Sequence, residues 1–164
     1  MSKQYTRIYQ DAEGFGACVH TMRYGLFEGN VTGSKGGQPV APRMGNIKAY
    51  DGGAGDYQMG PLTFMLNYPD HCVLYRFLPK SLTETDVELV WFVRGDAVEG
   101  VDYQREDLIW LWDHTTKEDE YIILRNNAGV KSRFFEPGPY HPEFEATLQK
   151  FVGWYLHTLE RVTG

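Results

Sequence analysis

Up to Gly100 the apolar positions recur mostly every second residue; beyond it they recur at a period near 3.6. The first regime predicts strands. Residues 17–26 read as one, and 45–51 as a second closed by Asp51-Gly52-Gly53. From Tyr57 to Tyr68 the chain is apolar on both parities, with Leu62, Phe64, Leu66 and Tyr68 on one face and Met65 on the other. Pro69-Asp70 breaks this run, residues 72–78 resume it, and residues 86–94 place Val87, Leu89, Trp91 and Val93 on one face. Short spacers favour antiparallel neighbours, whereas the stretch Gly29 to Gly37 has the chemistry of a loop.

The second regime predicts helices. Residues 105–126 carry Leu108, Leu111, Trp112, Thr115, Ile122 and Ile123 along one stripe, with Gly129 as a stop. Glu136-Pro137-Gly138-Pro139 is a rigid turn. A last helix from about Pro142 buries Phe144, Leu148, Phe151, Val152, Tyr155 and Leu159. Strands followed by helices segregated at the end make an α+β domain.

Composition narrows the function classes. A chain of 164 residues suffices for one core. A net charge of −6, with no basic cluster, argues against nucleic acid or an anionic membrane as partner. No apolar run approaches the ~20 residues of a membrane span, and the N-terminus shows no signal-peptide core, so a cytoplasmic protein is expected. Cys18 and Cys72 are expected as free thiols.

Asp119 is the sharpest chemical feature. At about 100° per residue it falls within roughly 40° of Leu108, Trp112, Thr115 and Ile123, on the stripe expected to face the core. A buried carboxylate must be paired, protonated or metal-bound. Two readings stay open: a metal ligand beside a cavity, or a residue in the first turn of a new helix capped by Thr115 or Thr116. Cys18-Val19-His20 has the Cys-x-His form of half an iron–sulfur site, but Cys72 is followed at the matching position by Tyr75 instead of histidine. His20, His71, His114, His141 and His157 form no close pair of the kind metal-binding helices carry. His71, beside Asp70 in a turn, reads as structural, and His157 as solvent-facing.

A series of short motifs adds to this. Tyr68-Pro69-Asp70-His71, Trp91-x-Val93, Glu99-Gly100-Val101-Asp102-Tyr103, Leu108 to Trp112 and Thr115-Thr116-x-x-Asp119 occur in that order. Asn126-x-x-Gly129-Val130-x-Ser132, Glu136-Pro137-Gly138-Pro139-Tyr140 and Phe151-x-x-Trp154-Tyr155 follow. From about residue 20 to the end, the series resembles the C-terminal end of Rieske oxygenase (ring-hydroxylating) large subunits.

The resemblance implies a partial helix-grip (START-like) fold, with residues 1–164 as the C-terminal portion of the catalytic domain. It also implies an Fe(II) held by two histidines and one carboxylate. Asp119 matches that carboxylate. The two histidines and the Rieske [2Fe-2S] domain have no match in this chain, and Asn127 stands where many members have Gln. The implied parent enzyme draws electrons from a reductase or ferredoxin and uses O₂ to hydroxylate or demethylate an apolar or aromatic small molecule. The chain by itself is expected to be inactive and to self-associate through uncovered apolar surface. Two other readings are an independent START-like binder of an apolar ligand and a structural subunit pairing through a sheet edge.

Overall fold

The computed structural model describes residues 6–9, 19–142 and 144–163. Strands β1 (Thr6–Tyr9), β2 (Val19–Gly25), β3 (Gly53–Met59), β4 (Thr63–Asn67), β5 (Cys72–Pro79) and β6 (Thr85–Phe92) precede helices α1 (Arg105–Val130) and α2 (Ala146–Thr163). The strands form one six-stranded sheet in sequence order, every neighbouring pair antiparallel. The α+β class expected from the pattern is what the chain adopts.

Each hairpin follows from its turn residues. Gly60, at φ +78°, reverses the chain between β3 and β4, a conformation that costs a residue with a Cβ. The expected single run from Tyr57 to Tyr68 is therefore two strands, and Leu62 sits in their turn, its carbonyl accepting from Phe77 N at 2.9 Å. Pro69-Asp70 makes the β4–β5 turn, closed by Tyr68 N donating to His71 O at 2.9 Å. Strand β1 was not anticipated, and residues 17 and 18 of the expected strand 17–26 lie outside the described residues.

The expected strand 45–51 does not form. Residues 26–52 are instead one long connection between β2 and β3, joined at its base by Leu26 N donating to Gly52 O at 2.7 Å. Gly45 and Gly52 take positive φ, Ile47 N turns back to Met44 O at 3.2 Å, and residues 45–49 are exposed, so no strand partner or apolar face recruits them. Met44 N donates to Pro69 O at 2.8 Å, which ties the connection to the β4–β5 turn.

The described chain divides into two compact units, residues 1–111 and 112–164. In the first, Val73 is wholly buried, and Ala54, Tyr68 and Leu108 are buried with it. In the second, α1 runs on past 126 and ends at Val130, one residue beyond the expected stop at Gly129, with Ser132 N donating to Gly129 O at 2.9 Å. The last helix begins at Ala146, not near Pro142, and ahead of it the Glu145 carboxylate accepts from His141 N. Phe151 and Val152 are half-buried, but Phe144, Leu148, Tyr155 and Leu159 are exposed.

Candidate functional site

Residues paired across antiparallel strands project from the same side of a sheet, so the register sorts the sheet into two chemically different faces. One face holds Arg23, Arg76, Asp86 and Glu88, and Arg76 and Glu88 pair across β5 and β6 at 2.8 Å. On the other face, one row reads Met22, Asp56, Leu66, Val73 and Trp91 from β2 to β6. The row on one side of it carries Tyr24 and Ala54 and continues to Tyr68 and His71; the row on the other side carries Gln58, Phe64, Tyr75 and Leu89. This second face is aromatic, with Phe64 and Phe77 edge-on at 5.7 Å, and at its β1 edge the register puts Arg7 opposite Met22, in the same row as Asp56.

Asp56 brings a formal negative charge to this aromatic face. It is half-buried, and Tyr24 Oη donates to its Oδ1 at 3.1 Å. Burial raises the carboxyl above its ordinary range, a rise that the Tyr24 hydrogen bond only partly offsets. The Tyr24 and Tyr68 hydroxyls are raised too, by burial first, then by the Asp56 charge for Tyr24 and by Tyr24 for Tyr68. Neither Asp56 nor Tyr24 was anticipated from the sequence. The available signal was a carboxylate inside an alternating stretch that leads into Gly60-Pro61.

At one end of the same face lies a buried polar cluster. Asp70 and His71 have no exposed surface. Asp70 accepts from the Thr32 hydroxyl, from Val40 N at 2.9 Å and from His71 Nδ1 at 2.9 Å. Burial pushes the Asp70 carboxyl up, but the bond and charge of the His71 ring, with the Thr32 and Val40 donors, outweigh it and hold it below the ordinary value. Tyr68 stacks on His71 at 4.9 Å, and Gly33 approaches the Tyr68 ring so closely that a Cβ there would stand 2.3 Å from its Cζ. The cluster thus staples the Gly-rich connection to the β4–β5 turn, in keeping with the structural role expected of His71. Its Nε2 is buried without a hydrogen-bond partner among the described residues.

Asp119 does not lie where the helical stripe put it. Leu108 is buried and Leu111, Trp112 and Thr115 are half-buried, but from Lys117 to Val130 every residue of α1 is exposed, Asp119 included. Ile122 and Ile123 are 61% and 63% exposed, so the stripe has no cover over this half of the helix. The capping alternative fails as well, because α1 is continuous through Thr115 and Thr116 and no new helix starts there. Cys18 lies outside the described residues. Cys72 is a half-buried free thiol bonded to Asn67 Oδ1 at 3.0 Å, with Tyr75 on the opposite face. His114, His141 and His157 are exposed and far apart in sequence, and His141 Nδ1 accepts from Phe144 N at 3.2 Å. Among the described residues no three His, Cys, Asp or Glu side chains gather to hold a metal ion. An open groove of about 440 Å³ between residues 39–42 and 101–104 includes none of these candidate residues.

Residues 5–161 match the family described as ring hydroxylating alpha subunit (catalytic domain). The chain is 34% identical over 146 residues to the glycine betaine monooxygenase oxygenase subunit of Chromohalobacter salexigens, covering 88% of this chain and 33% of that protein. It is 33% identical over 142 residues to the proteins of the same name in two Pseudomonas aeruginosa strains, UCBPP-PA14 and PAO1, covering 86% of this chain and 33% of each. The chain therefore spans about a third of the length of the curated relatives it matches. No helix among the described residues is long and apolar enough to cross a membrane.

Proposed function

Because the chain belongs to the catalytic-domain family of ring-hydroxylating, Rieske-type oxygenase alpha subunits, we propose that it forms the C-terminal part of such a catalytic domain, in an enzyme that oxidatively demethylates a small methylated ammonium compound. The observation that carries the substrate class is the similarity to the glycine betaine monooxygenase oxygenase subunits along 142–146 residues. An aromatic sheet face suits it, since methylated cations are recognised by the negative faces of aromatic rings. Both points favour a methylated ammonium over the apolar or aromatic substrate expected from the motifs alone. In this reading O₂ supplies one oxygen atom to an N-methyl C–H bond. The other atom leaves as water, with two electrons from a reductase or ferredoxin and two protons. The hydroxymethyl product then releases formaldehyde.

Among the described residues no ligand set for the family's Fe(II) or [2Fe-2S] cluster gathers. We assign Asp119 as the single carboxylate this chain would offer to the iron, the two histidines coming from sequence outside it, and the sheet and α1 as part of a helix-grip (START-like) architecture. The chain alone is then inactive. The test is an iron-loaded protein carrying this chain within its full reading frame, supplied with a reductase and NADH. Formaldehyde release from glycine betaine or choline is expected, and Asp119→Ala is expected to lose both iron and turnover while keeping its circular dichroism. Hydroxylation of aromatic compounds with no demethylation of methylated ammonium compounds would overturn the reading.

A further inference from the structure

We propose that His71 and Trp91 form a binding site for a single hydroxylic oxygen, that of a water molecule or of the hydroxyl group of a bound small molecule. Two observations meet there. His71 Nε2 and Trp91 Nε1 are both buried, and neither has a hydrogen-bond partner among the described residues. The register then brings the two residues to one end of the same sheet face. Trp91 pairs with Val73 and Phe92 with Cys72, so His71 stands diagonally from Trp91 across β5 and β6. Diagonal neighbours of this kind lie within reach of aromatic side chains. The surroundings are closed: Val73 and His71 have no exposed surface, and the Tyr68 ring stacks on His71 at 4.9 Å.

The chemistry of the two nitrogens is complementary. His71 Nδ1 lies 2.9 Å from Asp70 Oδ1, and an ionised carboxylate only accepts, so Nδ1 carries the ring proton. Asp70 is itself held by the Thr32 hydroxyl and by Val40 N at 2.9 Å, which anchors this tautomer to the long connection. Nε2 of the neutral ring then offers a lone pair, whereas the Trp91 indole N–H can only donate. The two do not bond to each other directly. One oxygen that both accepts and donates serves them together: it accepts from Trp91 Nε1 and gives its own proton to His71 Nε2. Two such bonds of about 2.9 Å in series bridge nitrogens up to about 5.8 Å apart. A carbonyl or carboxylate oxygen would serve Trp91 alone, and an ammonium group His71 alone. In a closed site the group left over would remain desolvated and unpaired, which is costly. The pair therefore selects an O–H group over an oxygen without a proton and over a cation.

The test is a high-resolution crystal structure of the full-length protein carrying this chain, determined without small molecules and again with choline, joined to nitrogen NMR of protein labelled at histidine. One oxygen at about 2.7–3.2 Å from both nitrogens is expected, with the His71 proton on Nδ1 alone. Trp91→Phe, which keeps an aromatic ring and removes the N–H, is expected to lose that oxygen and to shift the Nε2 resonance toward that of an unbonded lone pair. An oxygen present in both parent crystals identifies water as the source. One that appears only with choline, continuous with its carbon chain, identifies a ligand hydroxyl. No oxygen between the nitrogens in either crystal overturns the site, as does a protein group from elsewhere in the full-length chain at that position. A proton on both ring nitrogens of His71, or an oxygen unmoved in Trp91→Phe, overturns it equally.

Discussion

Asp70 and Asp56 are both withdrawn from water, and the difference in their partners sends their effects in opposite directions. Asp70 satisfies three donors in a site with no exposure, so Asp70→Ala strands Thr32, Val40 N and His71 Nδ1 together. A loss of about 3–5 kcal/mol in urea unfolding is expected, the range for breaking a buried charged network. Its carboxyl is held below the unfolded value of about 3.9, so its contribution is complete above that pH and disappears as the pH falls through the lower folded value. Asp56 is shifted upward by burial, so the folded state holds its proton more tightly than the unfolded chain does. Stability is then lost as the pH rises from about 3.9 through the raised folded value. Asp56→Asn is accordingly expected to melt at a higher temperature than the parent at pH 7. The advantage should vanish toward pH 4, and an unchanged melting point at pH 7 would count against a desolvated charge there.

Among the elements, the β3–β4 hairpin sets the register that brings Asp56 level with Leu66 and Trp91. Its turn depends on Gly60 at φ +78°. Gly60→Val forces a β-branched residue into the left-handed region and is expected to cost about 1–2 kcal/mol by thermal unfolding. A one-residue slip of the hairpin would turn Asp56 and Phe64 to the opposite face. α1 contrasts with this hairpin. Its first turns are anchored by Leu108, whereas Lys117–Val130 is exposed all round, although the local sequence favours helix in both halves.

At the level of the whole molecule, exposed large apolar side chains crowd the second unit: Tyr121, Ile122, Ile123 and Leu124 on α1, then Phe134 and Phe144. Exposed apolar surface of this kind seeks cover. The isolated chain is expected to give a light-scattering mass above the 18.8 kDa of a monomer at high concentration, reduced by Ile122→Lys with Ile123→Lys. A monodisperse monomer throughout would contradict this. The chain spans about a third of its curated relatives, and Asp119 lies on this same uncovered stretch of α1. A carboxylate there meets water in this chain, and only further protein could exclude it.

Much of the architecture was legible in the order of residues. The change of period at Gly100 separates sheet from helices, and the alternation of Val87, Leu89 and Trp91 puts these three on one face of β6, because successive strand residues point to opposite sides whatever their neighbours are. The ordered motifs from Tyr68-Pro69 to Trp154-Tyr155 carried the family, which comparison with known proteins supports independently of where Asp119 points. The sequence could not show that residues 45–51 join a loop, that Asp119 is exposed, or that Asp56 shares a face with Tyr24 and Phe64. Those depend on pairing between segments distant along the chain and on which surfaces find a partner. Periodicity states which side chains share a side of an element, and only the packed structure decides what, if anything, that side meets.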